Sequence, residues 1–265
     1  PDYWDMSVNG YTYANKMLNL PDEYKVSGMP NGNQRIYEGK DIYRWEMRQF
    51  AGLDEKGNSL WYMDRDLTDG EGNVVGVEKV TTGDATEATQ YLLEKSALPD
   101  FTGGLNTTLR WKSLDLTIMT NFQFGGYGYD YDFSAFSSAN FPMNRLKNYA
   151  DAWNPETGKG SAPIWNTNDS NINASSDRFL ISKTYFNLRN ITLGYTFPAN
   201  WMSKIGIKSV RVYFACDNVF FASKRKGYDP RTSMGGQGAT VALNSVDGTY
   251  YSPIRTTSVG LNINF

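Results

Sequence analysis

The sequence predicts an all-β fold: part of a transmembrane antiparallel up-and-down β-barrel, contributing about seven strands. Three observations predict it. Long stretches alternate apolar and polar residues with period two, the mark of a sheet with a different solvent on each face. Aromatics make up 15% of the 265 residues and gather near the ends of those stretches. The connections are unequal, some minimal and some very long.

The elements follow in order. The first strand runs from Tyr3 to Ala14, with Trp4, Met6 and Val8 alternating against Asp5, Ser7 and Asn9. A second is expected over Asp41 to Leu53, with Tyr43, Trp45 and Met47 on one face and Arg44, Glu46 and Arg48 on the other. Residues 101–126 hold two strands. Phe101, Leu105, Leu109 and Trp111 share a face in the first, and Leu114, Leu116, Ile118, Phe122 and Phe124 in the second. Only Lys112-Ser113 separate them, so they form a hairpin. In residues 184–198, Ile191, Leu193, Tyr195 and Phe197 alternate with Thr192, Gly194 and Thr196, while Phe186 and Leu188 have the opposite parity. A bulge at Arg189-Asn190 restores the face. The sixth strand is Val210 to Phe221, and the seventh is Tyr251 to Phe265, which ends on Val259, Leu261, Ile263 and Phe265.

If these strands go up and down in order, the long segments 54–99, 126–182 and 222–250 fall on one side of the sheet. The short links at 112–113 and 198–208 fall on the other, where segment 15–40 is an exception. Long loops on one side and short turns on the other is the asymmetry of outer-membrane barrels. Strands of about a dozen residues exceed the five or six usual in soluble sandwiches. The end aromatics Trp111, Phe124, Tyr127, Phe197, Trp201, Tyr250, Tyr251 and Phe265 suit interfacial girdles.

Composition narrows the chemistry. A net charge of −2 and a pI near 5.3 leave no basic face for nucleic acid. Histidine is absent, which removes the usual general base and the commonest metal ligand. The single Cys216 sits in a strand-like run and is expected to pack rather than react. The chain has no apolar run of about 18 residues, so no transmembrane helix is expected. A mean hydropathy of −0.52 is compatible with barrel strands, which are only half apolar.

Four stretches resemble the C-terminal part of SusC/RagA-like TonB-dependent outer-membrane transporters. They are "IYEGKDIYRWEMRQFAGLDEKGNSLWY", "LPDFTGGLNTTLRWKSLDLTIMTNFQFGG", "YFNLRNITLGYTFP" and "VRVYFACDNVFFASKRKGYDP". The closing "SPIRTTSVGLNINF" resembles that family's last strand. The ordered set spans nearly the whole chain. Glu55 stands where that pattern has Pro, and Arg231 where it has an acid.

The resemblance implies a bacterial outer-membrane location and a barrel of about 22 strands filled by a plug. It implies TonB energy and a SusD-like surface lipoprotein that helps capture oligosaccharides or peptides. This chain would supply the C-terminal portion of the barrel, with 54–99, 126–182 and 222–250 as extracellular loops. The remaining strands and the plug are expected upstream or in another chain, because each bare backbone group at an open edge in lipid costs on the order of several kcal/mol. The resemblance also implies that Val259, Leu261, Ile263 and Phe265 form the signal read by the barrel-assembly machinery.

No catalytic residue, cofactor or metal is expected. The acids in "DRDLTDGEGN" (64–73) read as a solvated turn. A calcium loop would need alternating ligands, broken at Thr68, and a Glu at its twelfth place. "GGYGYDYD" (125–132) lacks the Lys and the setting of a phosphate cradle. Tyr127, Tyr129, Tyr131, Trp153 and Trp165 are the candidates for substrate contact. Aromatic faces of this kind either stack on sugars or peptide side chains, or pack the loops together. Arg44, Glu46, Arg48, Arg110 and Asp115 are expected to face the lumen, as a charge network or as substrate contacts. The readings from other classes are a soluble β-rich carbohydrate-binding protein and a glycoside hydrolase domain.

Overall fold

The computed structural model describes residues 2–137, 151–165, 171–172, 174–224 and 253–265. The strands are β1 (Tyr3–Tyr11), β2 (Met29–Asn31), β3 (Gln34–Ile36), β4 (Arg44–Arg48), β5 (Phe50–Leu53), β6 (Ser59–Thr68), β7 (Val74–Thr82) and β8 (Gln90–Ser96). They continue with β9 (Pro99–Trp111), β10 (Leu114–Gly125), β11 (Tyr127–Tyr129), β12 (Leu180–Ser182), β13 (Tyr185–Thr196), β14 (Ser209–Ser223) and β15 (Thr256–Asn264). Two short helices are α1 (Tyr131–Phe136) and α2 (Ala199–Met202).

Six of these strands form one antiparallel sheet in the order β1-β9-β10-β13-β14-β15, which we call the wall. Each wall strand pairs with the next one along the chain, as an up-and-down barrel requires. Lengths of 9 to 15 residues suffice to cross a hydrocarbon core at barrel tilt. The register puts whole rows of like side chains across the sheet. Trp4, Leu109, Leu116, Leu193, Phe214 and Val259 lie in one row. On the opposite face Asp5, Thr108, Thr117, Thr192, Ala215 and Ser258 make another.

The apolar rows are exposed. Trp4 is 70% accessible, Leu193 47% and Phe214 45%, so this face is not a packed core. Aromatics bound it. Phe101, Phe122 and Phe124 cluster toward one end, with ring centroids 6.0 and 5.6 Å apart. Trp111 and Trp201 lie exposed at the other end. Ten residues separate Phe101 from Trp111, roughly 33 Å of strand or about 25 Å of height at barrel tilt. That is the height of an outer-membrane apolar band.

Two local features follow the sequence closely. Lys112, with φ 54°, and Ser113 close the β9–β10 hairpin. Arg189 is the extra residue of a bulge: Asn190 pairs with Met119, but Leu188 pairs with Thr120. The slip keeps Leu188 and Phe186 on the face of Ile191, so the apolar surface is continuous.

One element differs. Residues 41–53 do not form a wall strand. They split into β4 and β5, which belong to two separate small sheets, β2-β3-β4-β8 and β5-β6-β7. Alternation marks any strand with unlike faces, and here Trp45 (4% accessible) and Met47 (2%) turn into a protein core. Four or five residues are also too few to cross lipid. The wall therefore has six strands among the described residues, and residues 12–98 form one excursion between β1 and β9. Segment 15–40 belongs to that excursion and is no exception. The long links 12–98, 126–184 and 224–255 all leave from one end of the wall, and the short links 112–113 and 197–208 from the other.

Candidate functional site

The polar wall face and the folded excursions above it form the candidate site. Near the short-link end, Arg211 on β14 binds Asp115 on β10 through two bonds, Nε–Oδ1 at 3.0 Å and Nη2–Oδ2 at 2.5 Å. The pair passes over Gly194 on β13, where a Cβ would collide with both side chains. Arg110 lies directly across from Asp115 on β9, and the Arg211 guanidinium also covers the Tyr213 ring at 5.0 Å.

Higher up, the face is rich in amides and hydroxyls and carries the carboxylates of Asp5 and Asp217, the latter accepting from Asn190 Nδ2 at 2.8 Å. Asn187 donates to Asn121 at 2.8 Å, and the Thr108 and Thr117 hydroxyls meet at 3.3 Å. At the long-link end the face opens into a cleft of ≈ 390 Å³, lined by residues of three separate segments, 12–15, 41 and 96–100.

The first two excursions fold together into a crown. Its core holds Trp45, Met47, Leu93, Ala97, Tyr129, Phe179 and Leu180. Trp45 Nε1 donates to the Tyr127 carbonyl at 3.1 Å, and the Phe50 amide donates to Asp177 Oδ1 at 2.9 Å. The Ile164 amide reaches the Gly57 carbonyl at 2.8 Å.

Two turns in the crown use the same Asp-x-x-Gly-Asn design. Asp54 accepts from the amides of Lys56 and Asn58, and Asp69 from those of Glu71 and Asn73. The glycines at the fourth place take φ 84° and 87°, which favours Gly there. The Asn73 amide, with further local bonds, holds the Asp69 carboxyl below its ordinary range. Burial works to raise Asp54, but the Asn58 side chain and amide outweigh it, and the carboxyl again sits low. Residues 64–68 of the 64–73 stretch thus lie in β6, and 69–73 form the hairpin turn to β7. Among the described residues, no group of three acids or other metal-ligating side chains forms a metal site. Between the two small sheets, burial and the Asp64 carboxylate of β6, which accepts its hydroxyl at 2.6 Å, push Tyr91 of β8 up to about 12.

Comparison with known proteins gives a consistent result. No protein-family model matches the chain. TonB-dependent receptor P3 of Formosa agariphila is 24% identical across 99% of the chain, which covers 27% of that protein. TonB-dependent receptor SusC of Bacteroides thetaiotaomicron is 24% identical, again across 99% of the chain and over 24% of the receptor. Along almost its whole length the chain is similar to the barrel portion of SusC/RagA-like TonB-dependent transporters. A solved structure of the RagAB peptide transporter shares the fold, with a TM-score of 0.74 at 24% identity over 99% of the chain and 27% of its own. The chain thus spans about a quarter of the length of the relatives it matches. The SusC/RagA-like wall belongs in the outer membrane with its apolar face toward lipid. Its relatives are receptors and transporters, not enzymes, which removes the hydrolase reading.

Within this SusC/RagA-like segment the candidate residues separate. Arg110 and Asp115 lie on the polar wall face. Arg44, Glu46 and Arg48 lie in the crown, because β4 is not a wall strand. There Arg44 pairs with Glu94 at 2.5 Å and Glu46 with Arg35 at 2.7 Å, while Arg48 donates to the Ala85 carbonyl at 2.5 Å.

Tyr129 is 3% accessible in the crown core, with Tyr127 packed beside it. Trp153 lies over the Gly57 turn, where a Cβ would strike its ring. Tyr131 and Trp165 are exposed, at 39% and 45%. Tyr131 meets Tyr129 edge-on at 4.7 Å. Val259, Leu261 and Ile263 lie on the apolar face of β15, and Phe265 is 79% accessible beyond its end. Tyr250 and Tyr251 lie outside the described residues.

Sequence reasoning did not single out Arg211 or the cleft. Arg211 carried a usable signal, its parity opposite Val210 and Val212. The cleft carried none, since distant segments meet only in the fold.

Proposed function

We propose that the whole protein imports oligosaccharides or peptides across the outer membrane, energised through TonB. This segment contributes six wall strands and, in residues 12–98, 126–184 and 224–255, the loops on the extracellular side. The plug and remaining strands complete the barrel at the unpaired edges of β1 and β15. A SusD-like lipoprotein caps the crown. Arg110 and Asp115, with Arg211, face the plug-filled lumen, and Tyr131 and Trp165 are the exposed aromatics offered to substrate. The apolar edge formed by Val259, Leu261, Ile263 and Phe265 is the stretch engaged by the barrel-assembly machinery.

One observation carries this reading. The wall has one predominantly apolar face and one polar face, in a chain that aligns over 99% of its length with TonB-dependent receptors. The likeness to RagAB, a peptide transporter, supports a peptide cargo as one branch.

The test is uptake by cells carrying the full-length gene. Labelled neutral oligosaccharides and labelled oligopeptides are supplied in separate arms. Uptake of one class should vanish when the gene or TonB is deleted. Uptake that persists without TonB would refute the energised-import reading.

A further inference from the structure

We infer that the short-link rim of the wall is a docking surface for an anionic phospholipid of the inner leaflet, held by the ammonium groups of Lys112, Lys204 and Lys208 together with the indoles of Trp111 and Trp201. The inference rests on the reading above only in taking the short links to be periplasmic.

The rim is one continuous surface. The Thr196 amide donates to the Ser113 carbonyl at 2.8 Å, which ties the β9–β10 turn to the link 197–208. The Lys208 amide donates to the Asn264 carbonyl at 2.9 Å, which ties that link to the end of β15. Its charge is one-sided. Residues 111–113, 197–208 and 262–265 hold three lysines and no acid, in a chain whose net charge is −2. Asp2 reaches the rim from the start of β1, and there its Oδ1 accepts from the Lys112 amide. Asp115 and its partner Arg211 lie on the polar face and satisfy each other. All three lysines are exposed, and among the described residues none of their ammonium groups makes a hydrogen bond or an ion pair.

Lys112 shows where the charge stands. Trp111 pairs with Leu114 on the lipid side of the wall, and Lys112 Nζ lies 4.9 Å from the centre of its ring. The ammonium therefore sits outside the wall at the edge of the apolar band, the depth at which lipid phosphates lie. The turn gives no backbone reason for a lysine there. Its φ is 54°, a conformation that Gly or Asn takes with less strain.

The two ends of the apolar band differ, and the difference selects the leaflet. At the long-link end Phe101, Phe122 and Phe124 contact one another and carry no polar tip. At the short-link end Trp111 and Trp201 are each 55% accessible, and their indole N–H groups make no bond among the described residues. An N–H donor at this depth suits a lipid ester carbonyl, and a cation beside it suits the phosphate. A zwitterionic headgroup carries its own ammonium, which the lysines repel. A headgroup of the phosphatidylglycerol type carries the phosphate charge alone. An acidic protein segment would use the lysines but leave the lipid-side indoles idle.

The experiment uses the whole transporter purified in detergent. It is incubated separately with dioleoylphosphatidylglycerol, dioleoylphosphatidylethanolamine and lipopolysaccharide, and bound lipid is read by native mass spectrometry. Phosphatidylglycerol should be retained over phosphatidylethanolamine. Lys112→Gln should lower its retention about fivefold, the effect of one lysine at an anionic surface. Lys112→Gln combined with Lys204→Gln and Lys208→Gln should abolish the preference. Lys56→Gln, the same charge change in a crown turn, should leave it intact. All variants must keep heat-modifiable migration in gels, which reports a folded barrel. On the unaltered protein, added salt should release phosphatidylglycerol and spare phosphatidylethanolamine. Equal retention of the two phospholipids, retention indifferent to the triple change, displacement by inorganic phosphate, or a loss confined to lipopolysaccharide would overturn the inference. The import reading fails separately, through uptake that persists without TonB. A TonB-dependent importer with no phospholipid preference would sink the rim site and leave that reading standing.

Discussion

Trp45 in the crown and Leu193 in the wall both sit on strands that alternate apolar and polar residues, and they end in opposite environments. Trp45 is 4% accessible among Met47, Leu93 and Phe179. Leu193 is 47% accessible in a row of six apolar residues that stays uncovered among the described residues. Alternation reports that a strand has two unlike faces. Length and continuity report which solvent the apolar face meets. The wall keeps its pattern for 12 residues in β10, whereas the crown pattern breaks after five at Gln49.

The comparison can be broken most strongly in the crown core. Trp45→Ala should cost about 3–5 kcal/mol of local stability, as large aromatic deletions do. Proteolysis within 29–96 should rise while the amount of inserted barrel stays unchanged. Loss of insertion would mean that crown and wall are not separately stabilised.

Next in size is a charge on the wall. Ile191 lies midway between the two aromatic ends on the apolar face. Ile191→Arg should cost about 2–4 kcal/mol at the bilayer midplane. The inserted fraction in outer-membrane preparations should fall, while neighbouring Thr192→Arg should be tolerated better. Equal effects at the two positions would contradict the assignment of faces.

A smaller effect is expected at Gly194. Gly194→Ala places a methyl where the Asp115–Arg211 pair crosses β13. Displacing the pair should cost about 1–3 kcal/mol, within the range of overpacked sites. Asp115→Asn together with Arg211→Gln should remove most of that sensitivity, measured as the shift in barrel melting temperature.

The smallest effect concerns the two crown turns. Asp54 and Asp69 have carboxyls held below the ordinary value of 3.8. A depressed carboxyl contributes stability that is fully present above the unfolded value and lost as pH falls through the folded one. Protection of residues 54–73 from hydrogen exchange should therefore be flat from pH 7 to about 5 and decline below about 3.9. Asp69→Asn should flatten the decline at the 69–73 turn but not at 54–58.

Much of the wall was legible in the sequence because the reporting signals are local. The Lys112-Ser113 turn, the parity slip at Arg189 and the alternation of β9, β10 and β14 each need only neighbouring residues. The error at 41–53 arose because Trp45 and Met47 have the same parity signal whether lipid or Phe179 lies opposite. Only the break at Gln49 separated the two cases. The candidate site was less legible. Arg110 and Asp115 could be placed from strand parity, but Arg44, Glu46 and Arg48 followed β4 into the crown. The pairing of Asp115 with Arg211 joins residues 96 apart, and the cleft joins three distant segments. Contacts of that kind leave no periodic trace.

The central claim is that the apolar wall face meets lipid, with one phase slip at Arg189. Spin labels scanned along β13 in the whole transporter in bilayers test it most directly, with Cys216→Ser as background and single substitutions from Phe186→Cys to Tyr195→Cys. Collision with dissolved oxygen, which partitions into lipid, should be high at 186, 188, 191, 193 and 195 and low at 187, 190, 192 and 194. The two-residue beat should change phase once, at 189. An unbroken beat through 189, or uniformly low oxygen access at both sets of positions, would contradict the account.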